Sequence, residues 1–177
     1  MAIHVANDGV IYKDEVETIL LKKNSQAKQQ SVLILVPLLL GLDSVNPVYF
    51  ESLKRFFEIP NNIGIAGGRP KSSLYFIGTE GDNLIYLDPH YTRPAIEPKD
   101  VLSYTQTDLL SYHCDVVRLL PIESADPSCV VGFYAKNIAE FHRLCVDLEG
   151  LTSGGTPIFT ISETRPDYTS EEYASDF

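Results

Sequence analysis

Tryptophan is absent from this chain of 177 residues, methionine occurs once, and cysteine occurs three times, at Cys114, Cys129 and Cys145. The odd cysteine count, without a CxxC spacing, argues against a disulfide scaffold or a zinc ribbon and fits a reducing compartment. Positive charge is scarce: 14 Lys and Arg stand against 24 Asp and Glu, a net charge of −10. Such a chain repels phosphate backbones, so nucleic acid is not an expected partner. A general attraction to anionic membranes is not expected either. Long hydrophobic runs are also missing. The longest, residues 32–42, is interrupted by Pro37 and Gly41 and is too short to span a bilayer. The opening Met-Ala-Ile-His-Val has no basic region followed by an apolar one, so it is not expected to be a signal peptide. A cytoplasmic protein is expected.

What is present is ordinary for a globular domain: 44% hydrophobic and 21% charged residues. The length suffices for one domain, or a large piece of one, with a real core. Residues 3–5 read as a strand, with Asn7-Asp8-Gly9 as its turn. Apolar spacing from Val16 predicts a helix from Asp14 to about Lys23, followed by a polar loop over 24–31. The continuous aliphatic run 31–36 predicts a strand buried on both faces, in the middle of a sheet. Ser44 or Asn46 can cap a helix with Pro47 in its first turn, ended by Pro60. Glycine-rich 63–70 predicts a strand leading into a loop, and 74–78 with 84–87 a hairpin around Glu80-Gly81-Asp82-Asn83. An irregular stretch rich in proline follows Pro89. Residues 116–120 and 130–135 read as strands, and 137–148 as a helix capped by Asn137. Gly150 and Gly154-Gly155 are breakers, and 158–161 reads as a last strand. Residues 1–162 are expected to form the domain and 163–177 an acidic, flexible tail. The class is α+β, a mixed or antiparallel sheet flanked by helices.

The most pointed chemical element is Asp88-Pro89-His90, at the end of a predicted strand. Side chains at i and i+2 leave a strand on one face. An aspartate so placed accepts a hydrogen bond from the imidazole, fixes its tautomer and stabilises its protonated form. A histidine held in this way is a general base for a cysteine or serine nucleophile. The bland alternative is two residues ending a strand beside a turn. No nucleophile is evident. Cys145 lies on the apolar face of a predicted helix and Cys129 beside a strand, where buried, inert thiols are expected. The pair His113-Cys114, and His142 with Cys145, lack the further ligands of a metal site, so no metal is expected. His4 on the first strand reads as structural. Gly67-Gly68-Arg69-Pro70-Lys71-Ser72 lacks the Gly-Lys-Ser/Thr ending of a phosphate-binding P-loop.

Several ordered blocks together resemble the autophagins, the cysteine protease family of autophagy. They are Gly64-Ile65-Ala66-Gly67-Gly68-Arg69-Pro70, Ser73-Leu74-Tyr75-Phe76-Ile77-Gly78 and Leu84-Ile85-Tyr86-Leu87-Asp88-Pro89-His90. Flanking blocks, Ile3-His4-Val5-Ala6, Val36-Pro37-Leu38, Pro94-Ala95-Ile96-Glu97 and Asp126-Pro127-Ser128, extend the resemblance over nearly the whole chain. The resemblance implies a papain-like fold, here in part, and a Cys, Asp, His triad whose Asp and His fall on Asp88 and His90. It implies that Gly67, Gly68, Arg69, Pro70, Lys71 and Ser72 form a loop gating the active site. The implied partner is a ubiquitin-like autophagy modifier, trimmed to expose its C-terminal glycine and later released from phosphatidylethanolamine. Membrane contact would come only through that lipidated substrate. No cofactor is implied, and a monomer is expected. The family's Gly-Trp-Gly-Cys segment with its nucleophile has no counterpart here. The chain is therefore expected to be a C-terminal portion, a fragment or a truncated gene product, inactive alone or a silent binder of the modifier.

Overall fold

The aliphatic run that begins near residue 31 becomes the strand on which the molecule is built. In a computed structural model, which describes residues 1–22, 30–110, 112–153 and 156–166, this strand is β3 (Val32–Leu39). It runs past Pro37 because its neighbour β1 (Ala2–Val5) pairs only as far as Leu35. Where β3 has lost one neighbour, a residue without an N–H is tolerated. Its other neighbour is β8 (Ser128–Ala135), antiparallel over the whole of β3. Next come β4 (Asn62–Arg69), β5 (Ser72–Glu80), β6 (Asn83–Leu87) and β7 (Leu119–Pro121). The seven strands form one sheet in the order β1-β3-β8-β4-β5-β6-β7. Only β1 and β3 pair in parallel; the other contacts are antiparallel. A second, two-stranded parallel sheet joins β2 (Val10–Tyr12) to β9 (Thr160–Ser162).

Helices α1 (Lys13–Leu21), α2 (Phe50–Phe56) and α4 (Ile138–Ser153) bury their apolar sides against one face of the large sheet, whereas the short α3 (Gln106–Leu110) has no buried residue. That face presents Val32, Ile34 and Val36 from β3 and Val131, Phe133 and Ala135 from β8, all buried. Phe133 meets Phe56 of α2 edge to face at 5.2 Å and Phe159 at 5.8 Å. Each such fully buried aromatic contributes roughly 1.5–3 kcal/mol from area alone. Asn137 caps α4 by accepting the Glu140 N–H, while Glu140 reaches back to the Lys136 N–H. Asn46 accepts the Val48 N–H ahead of the short turn Pro47–Tyr49 that leads into α2.

The opposite face of the sheet is different. Along β3 burial alternates, and Leu33, Leu35 and Pro37 are only half-buried while Leu39 is 68% exposed. Ile3 and Val5 of β1, Tyr75 and Ile77 of β5 and Leu119 of β7 are exposed too. Among the described residues no helix packs there. The expectation that β3 is buried on both faces is thus corrected. A continuous aliphatic run marks two apolar faces, and only one of them is covered.

Other differences are local. The strand β2 was not anticipated, because three residues next to a helix carry no periodicity. The strand expected over 116–120 is confined to Leu119–Pro121, and Val116 and Val117 are exposed. The helix expected over 137–148 continues to Ser153. Lys23, most of the polar loop, Gly154-Gly155 and residues 167–177 of the expected tail lie outside the described residues. Residues before 167 are held to the body. The Asp14 N–H donates to the Glu163 carbonyl, Lys13 bridges Glu149 and Glu163, and Arg165 pairs with Glu15.

Candidate active site

β6 delivers the Asp88-Pro89-His90 segment. Its register is fixed on both sides, by Tyr75↔Leu87 and Phe76↔Tyr86 toward β5 and by Ile85↔Leu119 toward β7. The Tyr86 N–H donates to the Arg118 carbonyl one step further along. Beyond Leu87 the ladder ends and the carboxylate turns back on its own chain. Asp88 Oδ1 accepts the His90 backbone N–H at 3.0 Å and faces His90 Nδ1 at 2.7 Å. Those two hydrogen bonds, backbone first, hold the Asp88 carboxyl below its usual range. The Asp88 side chain is 14% exposed and that of His90 54%. With Nδ1 engaged, Nε2 is the ring nitrogen left for an incoming group. Chemically this is a carboxylate-oriented imidazole, able to take a proton from a thiol and return it to a leaving group.

The segment expected as a loop over residues 67–72 is a tight hairpin instead. Gly67, Gly68 and Arg69 are paired in β4 and Ser72 in β5, leaving Pro70 and Lys71 as a two-residue tip. Lys71 has φ 70°, a region that side-chain-bearing residues enter only at a cost, while Pro70 favours the position before it. Gly68 permits the closure, since a Cβ there would lie 2.3 Å from the Ser72 carbonyl oxygen. The Gly68 carbonyl in turn accepts the Asp126 N–H. A cavity of about 700 Å³ lies between this hairpin and the ends of β3 and β8, lined among others by Pro37, Arg69, Lys71, Tyr75, Cys129 and Pro89.

The three cysteines separate by environment. Burial pushes the Cys129 thiol up to about 12 and that of Cys145 up to about 11, so both are protonated and inert at neutral pH. His142 pairs with Glu17 at 2.7 Å rather than with Cys145. Cys114 is exposed and, with His113, lines a second cavity of about 400 Å³ that also borders Asp88. Arg93, Arg118 and Tyr91 line this second cavity as well. Sequence reading did not single these three out, because no spacing links Tyr91 to Arg118 across 27 positions. His4 is half-buried, with Nε2 lacking a hydrogen bond and 3.9 Å from Glu15.

The chain is similar to known proteins over nearly its whole length. Residues 1–147 match the family model described as the peptidase C54 catalytic domain. The cysteine protease ATG4D of Xenopus laevis is 39% identical over 184 residues, which cover 98% of this chain and 38% of the frog protein. The cysteine protease ATG4a of Arabidopsis thaliana is 36% identical, over 98% of this chain and 39% of its own. A probable cysteine protease atg4 of Aspergillus niger is 34% identical, over 99% of this chain and 43% of its own. The chain thus spans about two fifths of the length of these relatives.

Proposed function

The chain belongs to the peptidase C54 family of cysteine proteases, and from that premise we propose that it is the dyad-bearing part of an autophagy peptidase. Its substrate is a ubiquitin-like modifier, cleaved after a C-terminal glycine and later released from phosphatidylethanolamine. His90 serves as the general base and acid, and Asp88 orients it. The observation that carries this reading is the 2.7 Å contact between Asp88 Oδ1 and His90 Nδ1 at the end of a doubly paired strand.

The nucleophile belongs to a part of the enzyme that this chain does not span. Of the cysteines here, Cys145 is buried and Cys129 half-buried, and desolvation holds both thiols protonated. The open aliphatic face of the sheet, with Leu33, Leu35, Ile3 and Val5, offers the seat for a further layer of the protein. The hairpin tip at Pro70-Lys71, beside Pro89 in the larger cavity, gates the approach of the substrate. The enzyme works as a cytoplasmic monomer without a cofactor. Among the described residues no helix is long and apolar enough to cross a membrane. In this reading contact with membranes comes through the lipidated substrate.

The test is incubation of a modifier precursor with this chain, alone and completed by the nucleophile-bearing part of a relative. Mass spectrometry then reads the precursor's C-terminus. Trimming to glycine only in the completed form supports the reading. Binding without trimming in both forms leaves a silent modifier-binding module in its place.

A further inference from the structure

We propose that the cavity beside Asp88 is a binding site for a phosphate oxyanion. The cavity measures about 400 Å³, room for a phosphate group and a short substituent. In a chain of net charge −10 its wall is cationic. Arg93 and Arg118 line it against a single acid, Asp88, together with the hydroxyl-bearing Tyr91, Thr92 and Tyr112.

Arg118 is prepared for a ligand. Its carbonyl accepts the Tyr86 N–H, which ties the residue to β6. Its guanidinium lies 4.7 Å from the centre of the Tyr91 ring, and Nη1 donates to the Tyr91 hydroxyl at 3.3 Å. Stacking of this kind holds the planar fork in place and leaves further N–H donors on it. Among the described residues, neither Arg118 nor Arg93 forms an ion pair with a carboxylate. Arg118 and Asp88 attract each other, but one negative charge does not offset two positive ones, and Oδ1 of Asp88 is already occupied twice by His90. A guanidinium fork can meet two oxygens of an oxyanion at once, and phenol hydroxyls beside it suit the further oxygens of a phosphate.

Two sources share this chemistry: free phosphate, and the phosphodiester of a lipid headgroup. The second source rests on the function proposed above; the site itself does not. Amide NMR spectra of the 177-residue chain are recorded while inorganic phosphate or glycerophosphoethanolamine is added, at constant chloride concentration. Saturable shifts are expected at Tyr91, Arg93, Cys114 and Arg118, with a dissociation constant on the order of millimolar, as two charge-assisted contacts give. Arg118→Gln and Arg93→Gln should each weaken binding about tenfold, while Arg143→Gln on α4 should leave it unchanged. Arg93 is exposed, so its variant reports on the site even if Arg118→Gln perturbs the fold. Tighter binding of glycerophosphoethanolamine identifies the headgroup as the ligand, and equal or weaker binding identifies free phosphate. Shifts that fail to saturate, or that persist undiminished in both arginine variants, overturn the site. No turnover is read, so failure here is separate from failure of the proteolytic reading.

Discussion

Asp88 Oδ1 receives two hydrogen bonds from one residue, the backbone N–H of His90 at 3.0 Å and the ring Nδ1 of the same residue at 2.7 Å. The imidazole is therefore fixed at two points of its own residue, and Pro89 stiffens the link between them. In a completed enzyme His90→Ala should abolish turnover while modifier binding is retained. Asp88→Asn should slow turnover by roughly 10²- to 10⁴-fold, because an amide can present its N–H and favour the wrong tautomer. Single-turnover rates on a modifier precursor, beside binding measured by titration, check this. Near-normal turnover of the His90→Ala enzyme would remove the residue from the mechanism.

The hairpin tip yields a second expectation. Gly68→Ala places a Cβ 2.3 Å from the Ser72 carbonyl oxygen, in backbone that cannot yield cheaply. It should destabilise the chain by about 1–3 kcal/mol in a denaturant titration. Lys71→Gly removes the cost of φ 70° and should be neutral or stabilising by up to about 1 kcal/mol. In the completed enzyme Pro70→Ala should raise the alkylation rate of the nucleophilic thiol, and bound modifier should raise it further. If neither changes the rate, the tip is a static turn.

His4 predicts a dependence on pH. Burial lowers its pKa below 6.5 against the opposing pull of Glu15, and Arg165 and Asp8 also act on it. The unfolded chain then binds the proton more readily than the folded one. Stability is whole above the unfolded pKa near 6.5 and falls as the pH drops through the folded value. His4→Leu should therefore flatten the loss of stability between pH 7 and 5 relative to the parent. Parallel curves for the two proteins would count against a buried neutral imidazole.

Much of this was legible in the sequence where one signal dominates locally. The Asn137 cap and the apolar stripe through Phe141, Leu144 and Leu148 define α4, and Glu80-Gly81-Asp82-Asn83 defines the β5–β6 hairpin. The pair Asp88 and His90 was legible as residues two apart at a strand end, but they meet just past β6, where the Asp88 carboxylate turns back onto the His90 N–H and ring. What was hidden depends on partners distant in the chain. The strand β2, three residues long, exists only because it pairs with β9 across 150 positions. The exposed face of β3 looks like its buried face, since Leu33 and Leu35 are as apolar as Ile34 and Val36. Gly67, Gly68 and Ser72 read as loop because glycine is common in turns, yet close strand pairing also requires it at Gly68. Arg118 and Tyr91 meet only through the fold.

The thiols give a further expectation. At neutral pH iodoacetamide should modify exposed Cys114 readily, while Cys129 and Cys145 should react only after denaturation, since burial holds both protonated. Peptide mapping at successive times reads the order of labelling. Fast modification of Cys129 in the native chain would contradict its burial beside Gly67.

The most direct measurement uses the modifier itself, ending in a thiol-reactive group in place of its C-terminal glycine carboxyl. It is offered to this chain alone and to the completed enzyme, and the modified cysteine is located by peptide mapping. The expected result is no adduct on Cys114, Cys129 or Cys145, and in the completed enzyme an adduct on a cysteine outside this chain that forms only while His90 is intact. A specific adduct on one of the chain's own three cysteines, dependent on His90, would contradict a nucleophile supplied from elsewhere.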